Sequence, residues 1–227
     1  MYQASEPRTE CGVATEYVGV MPQEQSAAPA WFDLTSDQRA LLAPLRDYLA
    51  SAVAPGAVAR DASGEFPHEI VAQLALMGLF GLQVPERYGG AELDSTTTAL
   101  LIEEVAAVDG SLALTVASHN SLCVGHLLVA ANEEQRQRWL PPLASGEKLG
   151  AWALTEPAAG SDAASLTTRA TPTSGGFVLD GSKQFITQGT VGGTYVVMAR
   201  TSEPAAGGPR SHGISAFVMS GAAPGLV

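Results

Sequence analysis

Basic residues are scarce in this chain. Twelve lysines and arginines face 23 aspartates and glutamates, a formal net charge of −11 at pH 7. Phosphate contacts need clustered Lys and Arg, so this balance argues against a nucleic-acid partner. It fits a protein kept dispersed by its own charge. Cysteine is nearly absent. Cys11 and Cys123 cannot build a disulfide framework or a Cys-based metal site, no metal is expected, and a reducing, cytoplasmic compartment is the expectation. Long uninterrupted apolar runs are lacking too. The most apolar stretch, SLALTVASHNSLCVGHLLVAA (111–131), is broken by His119, Asn120 and His126, so no membrane span is expected. No G-x-G-x-x-G lies between a strand and a helix, which disfavours a Rossmann domain; GTVGG (189–193) reads as a loop between strands. There is no internal repeat.

What is present is a chain of 227 residues with 46% hydrophobic content, enough for one large domain or two small ones. Residues 1–33 read as a disordered leader. They have no sustained periodicity and no apolar h-region, and they carry Glu6, Glu10, Glu16 and Glu24 against Arg8 alone. That composition fits neither a secretory signal nor a mitochondrial presequence.

Residues 34–148 read as an α-helical domain. TSDQRALLAPLRDYLASAV offers Thr35 and Ser36 as cap candidates, with Pro44 placed to kink the helix. In FPHEIVAQLALMG, Pro67 suits a first helical turn and Gly78 a C-terminal cap. GLFGLQVPERYGGAEL is too rich in Gly and Pro for a helix. STTTALLIEEVAAVD opens on a Ser/Thr cluster and runs as an amphipathic helix. The apolar 111–131 segment, which carries Cys123 as a small core residue, should be a central helix. Asn132 should cap a short helix, EEQRQRWL, stopped by Pro141 and Pro142.

Residues 149–227 change texture. LGAWALTE, SLTTRATP, GFVLDGSKQFITQG, GTYVVMART and GISAFVM are short runs rich in β-branched and aromatic residues, separated by Gly, Pro and Ser. Helices followed by strands mean an α+β protein: an N-terminal helical bundle, then a small β-barrel or sandwich domain. At the end of the chain, Leu226 and Val227 look like the start of a further strand, so this domain reads as truncated.

Two stretches can carry chemistry. In ALTEPAAGSD (153–162) a strand stops at Thr155-Glu156-Pro157, and Gly160-Ser161 follow. A polar turn closing a strand accounts for these residues. So does a ligand corner, in which Pro157 fixes the backbone, Gly160 permits close approach, and the hydroxyls of Thr155 and Ser161 bind polar edges. In DGSKQFITQG (180–189), Asp180-Gly181 reads as a hairpin turn, with Lys183, Phe185 and Thr187 alternating onto one strand face and Gln184, Ile186 and Gln188 onto the other. An ordinary strand explains that pattern; so does a wall that covers a planar ring and bonds its edge. His119 and His126 either line a pocket or are satisfied core histidines.

Taken together, KLGAWALTEPAAGSDAASLTTRA, GFVLDGSKQFITQG, GISAFVM and the terminal PGL, with LQVPERYGG, SHNSL and EEQRQRWLPPLASGEKLG in the helical part, resemble the acyl-CoA dehydrogenase family from about Leu34 to Val227. SHNSL and SLTTRA lean toward its short-chain, butyryl-type members. The resemblance implies bound FAD, transfer of a hydride from the β-carbon of an acyl-CoA thioester, and removal of the α-proton by a glutamate. The flavin-contacting positions that match are Trp152, Leu154, Thr155, Gly160 and Ser161, then Phe185, Ile186 and Thr187; Ser161 also matches a position touching the CoA part of the substrate.

The chain departs from the family pattern in several places. Ala158 stands where many relatives have Gly, Phe185 where many have Trp, and Gln188 where Asn is usual. The family's C-terminal helical bundle, with the catalytic glutamate, part of the FAD site and most of the oligomer interface, is absent, so no residue here inherits the base. Glu156 belongs to the turn in the family pattern, and Glu103 and Glu104 sit on a helix expected to face solvent or a domain interface. The chain alone should then be inactive. Its expected partners are an acyl-CoA, an electron-transferring flavoprotein or another acceptor, and a second copy or a second chain that supplies the bundle. Two further readings are a flavin-dependent monooxygenase of the same fold and a non-catalytic partner subunit.

Overall fold

A computed structural model describes residues 33–227. Nearly all of the expected leader, with Cys11, lies outside the described residues. The helices come first: α1 (Ser36–Tyr48), α2 (Ala57–Ser63), α3 (His68–Leu76), α4 (Ser95–Val108), α5 (Gly110–Ser118), α6 (Gly125–Ala130) and α7 (Glu133–Ala144). The strands follow: β1 (Gly150–Ala153), β2 (Arg169–Thr173), β3 (Gly176–Asp180), β4 (Thr194–Arg200) and β5 (Ile214–Ser220). This is the expected α+β order.

Short polar side chains set the helix starts by satisfying otherwise orphaned N–H groups. The Asp94 carboxylate accepts from Thr97 N–H at 2.9 Å and opens α4, one residue ahead of the Ser/Thr cluster. Asp109 ends α4 and opens α5, accepting from Leu112 N–H at 2.9 Å. Asn132 and Gln135 form a reciprocal capping box at α7. Past α3, Gly78 takes φ +83°, as a C-terminal cap residue should.

Proline follows expectation in α1 and departs from it in α7. Pro44 lies within α1, and the chain continues through a π turn at Leu49–Val53. Pro141 and Pro142 do not stop α7, which runs on to Ala144. Each proline removes one intrahelical bond, but burial of Leu140, Leu143 and Ala144 holds the last turn in place.

The run Gly110–Ala130 joins α5, a π segment at His119–Val124 and α6. It is long and apolar enough to cross a membrane by length and composition alone. Here it is a core helix. Asn120 Nδ2 donates to the carbonyls of Leu79 (2.8 Å) and Val116 (2.9 Å), and its Oδ1 accepts from Leu82 N–H at 3.2 Å. A side chain competing for the Val116 carbonyl gives a physical reason for the widened turn at this point.

The β part is one five-stranded mixed sheet centred on β4, which is buried along nearly its whole length. β4 pairs in parallel with β1 (Gly150↔Thr194 to Ala153↔Val197) and antiparallel with β5 (Thr194↔Ser220 to Arg200↔Ile214). It touches β2 in parallel only at Arg169↔Arg200, and β2 and β3 form an antiparallel hairpin. Alternation divides the faces. Val196, with Trp152 and Val218, packs on Val84, Cys123, Leu127, Leu140 and Leu143. Ala151, Ala153, Tyr195 and Val197 form a second cluster with Leu179, Ile186 and Met219. The approach is closest at Gly150, where a Cβ would lie 2.7 Å from both Cβ and Sγ of Cys123.

Two further expectations are corrected. The hairpin turn is at Ser174-Gly175, between β2 and β3, because β3 ends at Asp180. Leu226 and Val227 start no strand; turns occupy the residues after β5.

Candidate active site

β1 runs out at Ala153, and a tight turn reverses the chain around Pro157. Glu156 and Ala159 exchange backbone hydrogen bonds of 3.1 Å in both directions. The Glu156 side chain turns inward and is buried. It accepts from Thr167 N–H (2.6 Å), Thr167 Oγ1 (2.8 Å), Thr168 N–H (2.9 Å) and Lys183 Nζ (2.8 Å). Burial pushes its carboxyl up, but the donors from Lys183 and the two threonines outweigh burial and hold it at about 2. A carboxylate this stabilised does not accept a proton near neutrality, and Glu156 is not a base.

Lys183 also donates to the Leu154 carbonyl at 3.0 Å, and Gln184 N–H donates to the Thr155 carbonyl at 2.8 Å. The two chemical stretches are therefore adjacent, joined by three hydrogen bonds from Lys183 and Gln184 to Leu154, Thr155 and Glu156. This adjacency is what a ligand corner needs and an isolated polar turn does not.

The second stretch is not a strand. Phe185 (φ +57°) and Gln188 (φ +62°) are both left-handed, so the expected alternation of Lys183, Phe185 and Thr187 on one face does not occur. Residues 181–193 form an irregular loop between β3 and β4. Ile186 and Thr187 are half-buried, Gln188 is buried, and the Phe185 ring is 84% exposed. An aromatic side chain held so far out by an anchored loop is a candidate ligand contact.

On the first stretch, Leu154 and Thr155 are half-buried, and Gly160 and Ser161 are exposed. A Cβ added at Gly160 would meet no atom within 4 Å, so the chain's own packing leaves the space beside it open. Trp152 Nε1 is buried without a hydrogen-bond partner. Such an orphaned donor calls for an acceptor.

The other titratable candidates fall elsewhere. His119 is fully buried: Gly150 N–H donates to its Nδ1 at 2.9 Å, and Nε2 lies 3.0 Å from the Phe80 carbonyl. It is a satisfied core histidine, and His126 is half-buried. Burial pushes the His119 imidazole down to about 4. Glu103 is exposed, and Glu104 pairs with Arg46. Cys123 is buried in the core, which pushes its thiol up to about 12. Among the described residues no group of three or more His, Cys, Asp or Glu side chains could hold a metal ion. The sequence reading missed the Glu156–Lys183 pair and the burial of Gln188; the only signal was that Glu156, Lys183 and Gln188 fall inside the two motif stretches.

Two family descriptions match the chain: acyl-CoA dehydrogenase, N-terminal domain, over residues 35–147, and acyl-CoA dehydrogenase, middle domain, over residues 151–227. An acyl-CoA dehydrogenase of Bacillus subtilis is 38% identical over 193 residues, covering 85% of this chain and 50% of its own length. The structure of butyryl-CoA dehydrogenase from Megasphaera elsdenii superposes with a TM-score of 0.77 at 35% identity, over 86% of this chain and 51% of that one. A glutaryl-CoA dehydrogenase from Mycobacterium smegmatis, in complex with FADH2, superposes with a TM-score of 0.75 at 28% identity, over 85% of this chain and 47% of that one. The chain thus spans about half the length of the relatives it matches. With both family regions matched in order across residues 35–227, the chain belongs to the acyl-CoA dehydrogenase family.

Proposed function

We propose that this chain carries the flavin-facing half of an FAD-dependent acyl-CoA dehydrogenase, which converts an acyl-CoA thioester to the 2-enoyl-CoA. The observation that carries the reading is the stapling of the Leu154–Glu156 corner to the loop bearing Phe185, with open space at Gly160 just after it. These residues fit FAD: Trp152, Leu154, Thr155, Gly160, Ser161, Phe185, Ile186 and Thr187 would hold it. Bound FAD supplies hydride acceptance from the acyl β-carbon.

The chain's own residues act by binding and orientation. Phe185 offers an aromatic face to a planar ring. The hydroxyls of Thr155 and Thr187 offer donors to polar ring edges, which favours an electron-rich ligand. Ser161 offers a hydroxyl to the CoA side of the substrate. Glu156 and Lys183 fix the corner and take no part in proton transfer. The α-proton base comes from the part of the family's length that these residues do not span, on this polypeptide or another. An electron-transferring flavoprotein or another acceptor removes the electrons, and a second copy or chain covers the site.

The test is an FAD titration followed by a butyryl-CoA assay with an artificial electron acceptor, with the second half of a family relative supplied. Flavin uptake and acceptor reduction are expected. Full FAD occupancy with no turnover of any acyl-CoA would sink the dehydrogenase reading, and oxygen consumption driven by reduced flavin would move it to the monooxygenase alternative.

A further inference from the structure

We infer that Gln188 is a positioning residue that clamps the Phe185–Thr187 loop onto α5 and so sets how that loop meets the flavin; the inference rests on the flavin-binding reading above. The loop is tied at its start by Lys183 and Gln184. At its end the side chain of Gln188 makes the ties. Gln188 Nε2 donates to the Thr115 carbonyl at 2.7 Å, and Ser118 Oγ donates to Gln188 Oε1 at 3.2 Å. Both amide atoms are thus used in a buried setting, where losing them leaves partners unsatisfied.

Packing alone does not hold this segment. Behind it lies a cavity of about 350 Å³, walled by Ile186, Gln188, Leu112, Thr115, Arg60 and Phe66. A loop backed by open volume can relax inward unless something directional stops it. The backbone works against the clamp as well, because non-glycine residues rarely adopt φ +57° and +62°, and the strain persists only where the surroundings enforce it. The two side-chain bonds of Gln188 tie this end to α5, and the Tyr195 hydroxyl adds a tie to β4 by donating to the Gly189 carbonyl at 3.0 Å. With the clamp closed, Ile186 N–H and carbonyl groups and the Thr187 hydroxyl keep fixed places, and Phe185 stays projected into solvent.

The test uses the 227-residue chain with three variants. Gln188→Ala removes the amide, Gln188→Gly removes it while relieving the left-handed strain, and Gln188→Asn keeps a shorter amide. Hydrogen exchange without flavin reads the clamp. The loop has its own reporters, since Gly189 N–H bonds the Ile186 carbonyl and Val191 and Gly192 N–H bond the Gln188 carbonyl. Faster exchange at 185–192 with β4 unchanged is expected for Q188A and Q188G. FAD affinity and the visible circular dichroism of the bound flavin read the positioning, with the second half of a relative supplied as above. A loss of about tenfold in affinity is expected for Q188A and Q188G, the size of losing two buried hydrogen bonds, with Q188N between them and the parent. Unchanged exchange in Q188A overturns the clamp. Faster exchange with unchanged affinity and spectrum overturns the positioning role, as does a Q188G variant that matches the parent, since relief of strain would then be all that matters. A parent chain with a protected loop and no FAD binding overturns the flavin reading and confines Gln188 to a structural clamp.

Discussion

Lys183 Nζ lies 2.8 Å from Glu156 Oε1, and this pair ties together two stretches that are 27 residues apart. Only 11% of the Lys183 side chain and 3% of the Glu156 side chain are exposed, so neither charge can fall back on water. Breaking a buried pair from one side leaves an uncompensated charge, a loss of about 3–5 kcal/mol. Lys183→Met is therefore expected to lower stability by about 3 kcal/mol in urea unfolding, and Glu156→Gln by at least as much, because it strands the buried ammonium and turns an amide N–H2 toward donors that the carboxylate accepts. Equal stability of K183M and the parent would mean that the pair does not hold the corner.

The same carboxylate makes stability depend on acidity. Its folded value of about 2 is depressed from the ordinary 4.5, so the unfolded chain binds its proton first as pH falls. The stabilisation is fully present above pH 4.5 and is lost between there and pH 2, on the order of 3 kcal/mol in all. Urea midpoints measured down through this window should fall in the parent and fall less in E156Q.

His119 adds an earlier window. Gly150 N–H donates to Nδ1, so the neutral ring carries its proton on Nε2 and donates to Phe80. Its folded value near 4 lies below the ordinary 6.5, so stability is full above pH 6.5 and declines toward pH 4, by roughly 3 kcal/mol. Nitrogen-detected NMR should show the Nε2–H tautomer with no imidazole titration at pH 5–6. A ring that titrates near 6.5 would contradict the burial.

Phe185 separates binding from stability. At 84% exposure it contributes little to the fold, and Phe185→Ala should change unfolding free energy by less than about 0.5 kcal/mol. FAD affinity should drop about fivefold to tenfold from the loss of one stacking partner. A variant that destabilises the chain and leaves FAD binding intact would reverse that assignment.

Gly150 marks the contact between β1 and the core helix. A methyl there meets Cys123 at 2.7 Å, and Gly150→Ala should cost about 1–3 kcal/mol by overpacking. A drop in melting temperature without a change in secondary structure would report it.

Much of this was legible along the chain because local physics decides it. Asn132 and Gln135 form a cap wherever that pair meets a helix start, Gly78 closes α3 through its own conformational freedom, and the β-branched run at β4 reads as a buried strand. The order of the elements and both chemical stretches were visible for the same reason. Where the reading failed, long-range contacts had overridden a local rule. Pro141 and Pro142 stay helical because Leu140 and Leu143 are buried from afar. Phe185 and Gln188 leave the strand pattern because Lys183, Gln184 and Gln188 are anchored to β1's turn and to α5.

The sequence by itself thus determined the class of fold, the order of its helices and strands, and the residue types available to a cofactor, since each depends on neighbours a few positions apart. The tertiary structure alone decided that Glu156 is a paired, unreactive carboxylate, that His119 is a core ligand of the backbone, and that the second stretch is a clamped loop. Those properties depend on burial and on hydrogen bonds between residues 11 to 73 positions apart, and no local pattern encodes which partner lies across the fold.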